Sequence, residues 1–379
     1  MKGLTVPERT EDFTADPVEL FFDLAFVFAF SQLVGRLVRD PTWPGVGEAA
    51  LLFALLWLPW SQLAWAANTV SGNGRHVRMI ILAGTVVSVP MAAATSTALD
   101  GGGPVFAVSL GIIMILGFGI AASAEGGSEF RLAVLRWNLP NIVAIAVMVT
   151  GAFIGGDTQL WLWLGAVLIV IGAMIYAGRG GWIVRSAHMA ERHALILIVA
   201  LGEVIVAVGI PVVASLEAGE GLPTWTTAAL ATSGVFAGLL WWGYFDRVGP
   251  ALEHRGLEIE GNIARGRYAR DVYTWSHAPI VAGVILAAAA LEEITLHPNE
   301  HLALSFRMML GGGLVAIVVG ISAAVYRAYK AVAKERIVGV AVLLAILGLG
   351  ADLDGLVLLV AVVAVMAATL VAEHIRIEH

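Results

Sequence analysis

The sequence predicts an all-α polytopic membrane protein of about twelve transmembrane helices, on three observations. Apolar residues make up 59% of the 379 and charged residues 13%, against roughly 25% charged in an ordinary soluble domain. Runs of about 20 mostly apolar residues, long enough to cross a hydrocarbon core of about 30 Å, recur along the whole chain. The positive charges gather at every second connection between these runs, the distribution that sets orientation in a bilayer.

In order, the runs cover 18–38, 46–68, 78–98, 105–124, 132–154 and 159–178, then 192–215, 226–246, 273–292, 304–328, 336–351 and 354–374. The eleventh is short and leads into "GLGADLDG", so the last two read either as full crossings or as a shallow hairpin. Residues 1–17 are polar and lack the basic start, apolar core and cleavage site of a signal peptide; a retained cytoplasmic tail is expected, with 375–379 as the opposite tail. The connection 247–272, "RVGPALEHRGLEIEGNIARGRYARDV", carries both signs of charge and no apolar run long enough for a core. It is expected to be a cytoplasmic crossover, with room for a short amphipathic helix.

Of the 22 lysines and arginines, Arg36, Arg39 and Arg307 fall on the side away from the N-terminus and Arg136 falls inside a segment; the rest share the N-terminal face. Both termini are therefore expected in the cytoplasm, with the chain multi-pass in the inner (plasma) membrane. A formal charge of -7 argues against a nucleic-acid partner. The absence of cysteine excludes disulfides, thiolate metal sites and iron–sulfur clusters, and no cofactor is expected. The bilayer and a small-molecule or ion substrate are the partners implied; a homo-oligomer is left open.

"PVELFFDLAFVFAFSQLV" opens the first segment and "MAERHALILIVALGEVIV" the seventh, each with a glutamate just inside, Glu19 and Glu191. "LFALLWLPW" in the second segment is echoed by "VFAGLLWWGYFD" in the eighth. The order implies two six-helix halves, 18–178 and 179–374, in parallel orientation about an axis along the membrane normal.

Ionisable groups inside the apolar runs point to a site. Glu203 interrupts "ALILIVALGEVIVAVGIPVV". Counted from Arg192 as the membrane border, it should lie roughly 16 Å deep, near the midplane. A carboxylate there costs about 2.5–3.5 kcal/mol on insertion scales, so it reads as a proton or cation site or a buried acid, or else as a packing glutamate. Glu19 and Asp23 share one helical face. Capping explains Glu19, whereas Asp23, one turn deeper, stays open between function and structure.

Trp57, Trp60, Trp65 and Asn68 recur at helical spacing beyond Pro59, which should kink that helix. With Trp242 they could line a pocket for an apolar or cationic ligand, or serve as core packing or an interfacial belt. Arg136 is within reach of the headgroups or of Asp23 or Glu191. Arg192 is a further charge partner. His193, and His277 in "YTWSHAPIV", are candidate relay groups. "HMAERH" brings His188 near Glu191, yet a metal needs about three or four converging ligands, and no metal is expected. "GGG" at 101–103 and 311–313 lacks the Lys-Ser/Thr of a phosphate loop, and no serine sits in a GxSxG turn.

"VELFFDLAFVFAFSQL", "ERHALILIVALGEVIVAVG", "WWGYFD" and "HAPIVAGV" resemble, in order and over nearly the whole chain, the motifs of the bacterial low temperature requirement protein A family. The departures are Ala194, Ile196 and the valine after Glu203. That family is named for a growth phenotype and implies no activity. More remotely, the two-times-six plan with "FFD" at 21–23 is similar to TMEM175-type potassium channels, although the serine and preceding arginine of their motif are missing.

Two functions remain. One is a transporter or channel-like permease for a small solute or ion, built on Glu203 with Asp23 and Glu19 near the inner mouth. The other is a membrane-embedded enzyme acting on a lipid or isoprenoid through a buried carboxylic acid. A structural or sensory role is the third and plainest reading.

Overall fold

The computed structural model describes residues 15–70, 74–178, 180–219 and 221–378. Most of the expected N-terminal tail, and Arg179 of the basic census, lie outside the described residues. Everything described is helix and connecting turn, apart from one isolated bridge between His301 and Asp354.

The helices are α1 (Pro17–Arg39), α2 (Trp43–Thr69), α3 (Arg75–Ala94), α4 (Gly103–Ser123), α5 (Ser128–Ile154), α6 (Gly156–Ala177), α7 (Ser186–Glu217) and α8 (Thr224–Phe245). After them come α9 (Val248–Glu258), α10 (Asn262–Ala269), α11 (Ser276–Leu296), α12 (Leu304–Tyr329), α13 (Lys334–Leu349) and α14 (Gly355–Glu378). Among the described residues eleven spans are long and apolar enough to cross a membrane, and the chain is a multi-pass membrane protein. The connection 247–272 holds two short helices, α9 and α10.

Local chemistry sets the ends. Asp16 accepts from Val18 N at 3.0 Å and Pro17 opens α1, an N-cap followed by a residue with no donor to lose. Arg78 Nη2 holds the other Asp16 oxygen at 2.8 Å, fastening α3 to the start of α1. The α5–α6 turn passes through Gly155 and Gly156 at φ 76° and 59°, a left-handed path that glycine takes without a Cβ clash.

At 16 residues, α13 is shorter than every helix except the two of the connection, α9 and α10. It nevertheless joins the same two faces. Arg336 at its start reaches Glu373 near the end of α14 at 2.9 Å, and Leu347 O near its end accepts from Arg307 at the start of α12 at 2.9 Å. At 1.5 Å per residue it is about 24 Å long, and it runs antiparallel to α14 between the two ends of the bundle.

Around the centre, α1 packs on α2, α3, α7 and α11, and α7 packs on α8 and α11. The closest seam joins α11 and α12. A Cβ added to Gly313 would lie 2.5 Å from Gly283 O, so the two backbones touch where only glycine fits, as small-residue interfaces between membrane helices allow. The second "GGG" is thus a packing device. Side chains such as Val86, Ile142, Leu168, Ile205 and Val319 are exposed around the outside, as helices facing hydrocarbon require.

Candidate functional site: a buried polar column between α1 and α7

Both α1 and α7 start on the face where Arg78 and Arg185 lie, called here the basic face, and run side by side. Their facing residues are paired by chemistry at successive levels. At the first level, Asn68 at the end of α2 is fixed by backbone: its Oδ1 accepts from Arg185 N at 2.9 Å and its Nδ2 donates to Arg185 O at 2.9 Å. Nδ2 also donates to His188 Nδ1 at 3.0 Å. That nitrogen must then be an acceptor, so the imidazole proton sits on Nε2, which donates to Glu19 Oε2 at 3.0 Å. Glu19 and His188 are 2% and 1% exposed. Arg185 closes the level by donating to Asn68 O at 3.0 Å and to Val70 O. Partial burial lowers the pKa of this guanidinium, just outside α7.

One turn deeper, Arg192 meets Asp23 through Nη1–Oδ2 and Nη2–Oδ1, both 2.8 Å, and its Nε lies 3.2 Å from Glu19. Trp60 Nε1 donates to Asp23 Oδ1 at 2.8 Å. Three donors thus meet the carboxylate, two on Oδ1 and one on Oδ2, the two-point geometry of a strong charge-assisted pair. The arginine also lies over Trp60, 5.7 Å from its ring centroid.

His193 occupies the third level. Its ring lies 5.1 Å from Trp60, 6.2 Å from Trp57, 5.4 Å from Tyr273 and 5.4 Å from His277, centroid to centroid. Nδ1 donates to Met189 O at 2.8 Å, leaving an Nε2 lone pair that is buried without a hydrogen bond, as is the Tyr273 hydroxyl. His277 repeats the logic: Nδ1 donates to Val272 O at 2.9 Å, so Nε2 accepts from the Tyr244 hydroxyl at 2.6 Å. Tyr244 in turn lines a cleft between α7, α8 and α9, with Glu191 and Glu253 on its walls.

A single π-helical stretch, Arg270–Trp275, sets this level. It lies just before Pro279, which has no N–H to give to the preceding turn. Wide turns of this kind are frequent at functional sites. Here carbonyls are left for side chains: Thr274 O takes Trp57 Nε1 at 3.2 Å, while Thr274 Oγ1 takes Trp65 Nε1 at 2.9 Å and meets Ser61 Oγ at 3.2 Å.

Glu203 belongs to a separate, deeper level. Ser31 Oγ donates to its Oε2. α7 starts at Ser186, six positions before Arg192, so Glu203 is about 26 Å along a helix of about 48 Å, near its middle and opposite a serine that is past the middle of α1. Between Asp23 and Ser31, Phe26, Ala29 and Phe30 are fully buried, as are Ile196 and Ala200 of α7. This apolar layer separates the two polar levels by about 12 Å.

Glu19, Asp23, Arg192, His193, His277, Trp57, Trp60, Trp65 and Asn68 thus come together. Glu203 stands apart at its own level, and two further expected residues lie outside the column. Trp242 is 55% exposed on the outside of α8, because the inward face of that helix is carried by Ser233, Phe236 and Tyr244. Arg136 reaches neither Asp23 nor Glu191: α5 packs on α4 and α6, and the guanidinium sits 5.3 Å from the Tyr176 ring centroid. Tyr244, Tyr273 and Thr274 were not singled out by sequence, although Pro279 shortly after the last two signals a disturbed helix start. Among the described residues no group of three or more metal-binding side chains converges.

The comparisons extend over the whole column. A protein of Rhizobium meliloti (strain 1021), itself uncharacterized, is 28% identical over 327 residues, 83% of this chain and 77% of that protein. No solved structure matches. The family described as bacterial low temperature requirement A protein matches residues 14–371, a stretch that holds every level from Glu19 to His277, and to that family the chain belongs.

Proposed function

We propose that the protein is a proton-coupled transporter of a small solute or ion in the plasma membrane, with both termini in the cytoplasm. One observation carries this reading: buried ionisable groups at successive depths along a single helix interface, Glu19 with His188, Asp23 with Arg192, then His193 with His277, and finally Glu203. Such groups are costly in a bilayer and are typical of proton and ion routes. The Glu19–His188 hydrogen bond can pass a proton between Oε2 and Nε2, while the Asp23–Arg192 pair is a fixed counter-charge beside it. The apolar layer at Phe26 and Phe30 is the barrier that a transport cycle must open.

Neighbour relations support a plan of two equivalent halves. The first helix of each packs on the second and third, α1 on α2 and α3 and α7 on α8 and α11, and α3–α4 corresponds to α11–α12. Catalysis on a lipid has less support, since Glu19, Asp23 and Glu203 are all engaged with His188, Arg192 or Ser31.

The test is proton flux into liposomes holding the purified protein and a pH-sensitive dye, driven by a potassium diffusion potential. Wild type should carry protons and Glu203→Gln should lose at least about tenfold in rate. Equal flux in both, or none in either, would overturn the reading.

A further inference from the structure

The helix α11 is ringed by α1, α2, α7, α8, α12 and α14, and every residue from Ser276 to Leu296 is buried or half-buried. His277, Val281, Ile285, Ala288 and Glu292 follow one another at steps of three or four residues, so they stack on one side of it. That is the side His277 turns toward His193 of α7. Val281, Ile285 and Ala288 are 0%, 3% and 0% exposed, yet Glu292, next along, is only half-buried. A helix ringed in this way turns no face to lipid. The opening at Glu292 is therefore a space inside the bundle that reaches the face opposite the basic one.

The depth of Glu292 follows from the register of the two histidines. Both α7 and α11 leave the basic face, and His193 and His277 lie side by side. Glu203 is about 15 Å beyond the first, and Glu292 about 22 Å beyond the second, at 1.5 Å per residue. Glu292 thus stands roughly 7 Å nearer the far face than Glu203, and about 6 Å short of the end of α11. The wall of α7 is loosened at the same level, because Pro211 inside that helix has no N–H to give to Ala207 O.

Neighbouring charges leave Glu292 to itself. Glu293 pairs with His297 at 3.2 Å, Arg307 donates to Leu347 O at 2.9 Å, and Asp354 lies 3.7 Å from His301. Glu203 takes the Ser31 hydroxyl. Arg39, the last residue of α1, folds back along its own helix, with Nη1 3.5 Å from the place a Cβ on Gly35 would take. Among the described residues no hydrogen bond or ion pair holds Glu292. A carboxylate so placed inside a membrane bundle is costly unless water reaches it.

We propose that Glu292 is the floor of a water-filled vestibule open to the external face, and the group that exchanges protons between that water and Glu203. The carboxylate takes a proton from vestibule water, becomes neutral, and returns to the anion as the proton passes inward to the Glu203 carboxylate. The exchange rests on the transporter function proposed above; the vestibule does not.

The chain has no cysteine, so single cysteines report cleanly. In spheroplasts holding the full chain, Glu292→Cys should react with the membrane-impermeant reagent sulfonatoethyl methanethiosulfonate, whereas Val281→Cys on the same side of α11 and Val319→Cys facing lipid should not. In the liposome assay Glu292→Gln should lose at least about tenfold in proton flux, the low end of what one acid–base group contributes. Glu292→Cys should be equally slow, and should regain flux when a carboxyethyl group is attached to it but not when a sulfonatoethyl group is. That comparison separates proton exchange from charge and packing, and Glu292→Gln serves should the cysteine variant fail to fold. No external labelling of Glu292→Cys, equal labelling of Val281→Cys, or wild-type flux in Glu292→Gln would each overturn the inference. Flux lost in Glu203→Gln and kept in Glu292→Gln would sink this inference alone. Absence of flux in wild type would sink the transporter and the exchange together, and labelling would still decide the vestibule.

Discussion

Asp23 and Arg192 meet by two parallel hydrogen bonds of 2.8 Å, each residue 1% exposed, at the point where the two halves of the chain face one another across α1 and α7. Breaking a buried pair by removing one partner leaves an uncompensated charge, at a cost of about 3–5 kcal/mol. Arg192→Leu should therefore lose stability of that order, read as a large fall in the thermal midpoint in detergent. Arg192→Lys should fall between, since an ammonium cannot reproduce the two-point geometry. A midpoint unchanged in Arg192→Leu would show that the pair is dispensable.

Glu19 and His188 form the exchangeable pair, and their substitutions should separate flux from folding. Glu19→Gln keeps an acceptor for His188 Nε2 and should fold, with proton flux reduced about tenfold or more. Dye-loaded liposomes and a melting curve on the same preparation check both halves of this expectation.

Tyr244 links the cleft beside α9 to His277. Tyr244→Phe removes one buried hydrogen bond, worth about 0.5–1.5 kcal/mol net, and leaves the aromatic packing. The variant should be slightly less stable and slower in flux. A variant as fast as wild type would place the proton route elsewhere.

The apolar layer makes the opposite kind of prediction. Phe26 is fully buried between the two polar levels; Phe26→Ser should admit water and raise passive proton leak in liposomes, with Glu203→Gln added to the same chain bringing the leak down. A leak no greater than wild type would mean that the barrier lies at another depth.

Gly312 and Gly313 differ by one position and should differ sharply in tolerance. A Cβ on Gly313 would meet Gly283 O and Ala287 N, whereas one on Gly312 would meet nothing within 4 Å. Gly313→Leu should prevent recovery of folded protein or cost several kcal/mol through overpacking. Gly312→Ala should change stability by less than about 1 kcal/mol. Size-exclusion yield and melting point distinguish them.

The helices were legible because hydropathy reports length and little else is needed to cross a bilayer. The site was legible in its parts, while the pairing of those parts was not: hydropathy flags Arg192 as a charge near a helix start, and only the packing of α1 on α7 shows that Asp23 neutralises it inside the protein. Trp242 and Tyr244 sit two residues apart on the same motif, and periodicity alone does not say which of them turns inward. Tyr273 and Thr274 depend on a wide turn whose exposed carbonyl and hydroxyl groups are met by Trp57 and Trp65, partners that lie more than 200 residues away in sequence. Glu292 was hidden for a related reason: a carboxylate near the end of an apolar run looks like a border residue until its helix is known to be ringed by others.

The widened turn at Arg270–Trp275 amounts to a phase shift, since it holds one residue more than the ordinary winding of the same length. Each residue advances a helix by about 100°. Were all six residues of 270–275 rewound as ordinary α-helix, everything upstream, α10 included, would swing through more than a quarter revolution relative to α11. The alignment of the α9–α10 crossover with the histidines beneath it therefore hangs on one surplus amino acid.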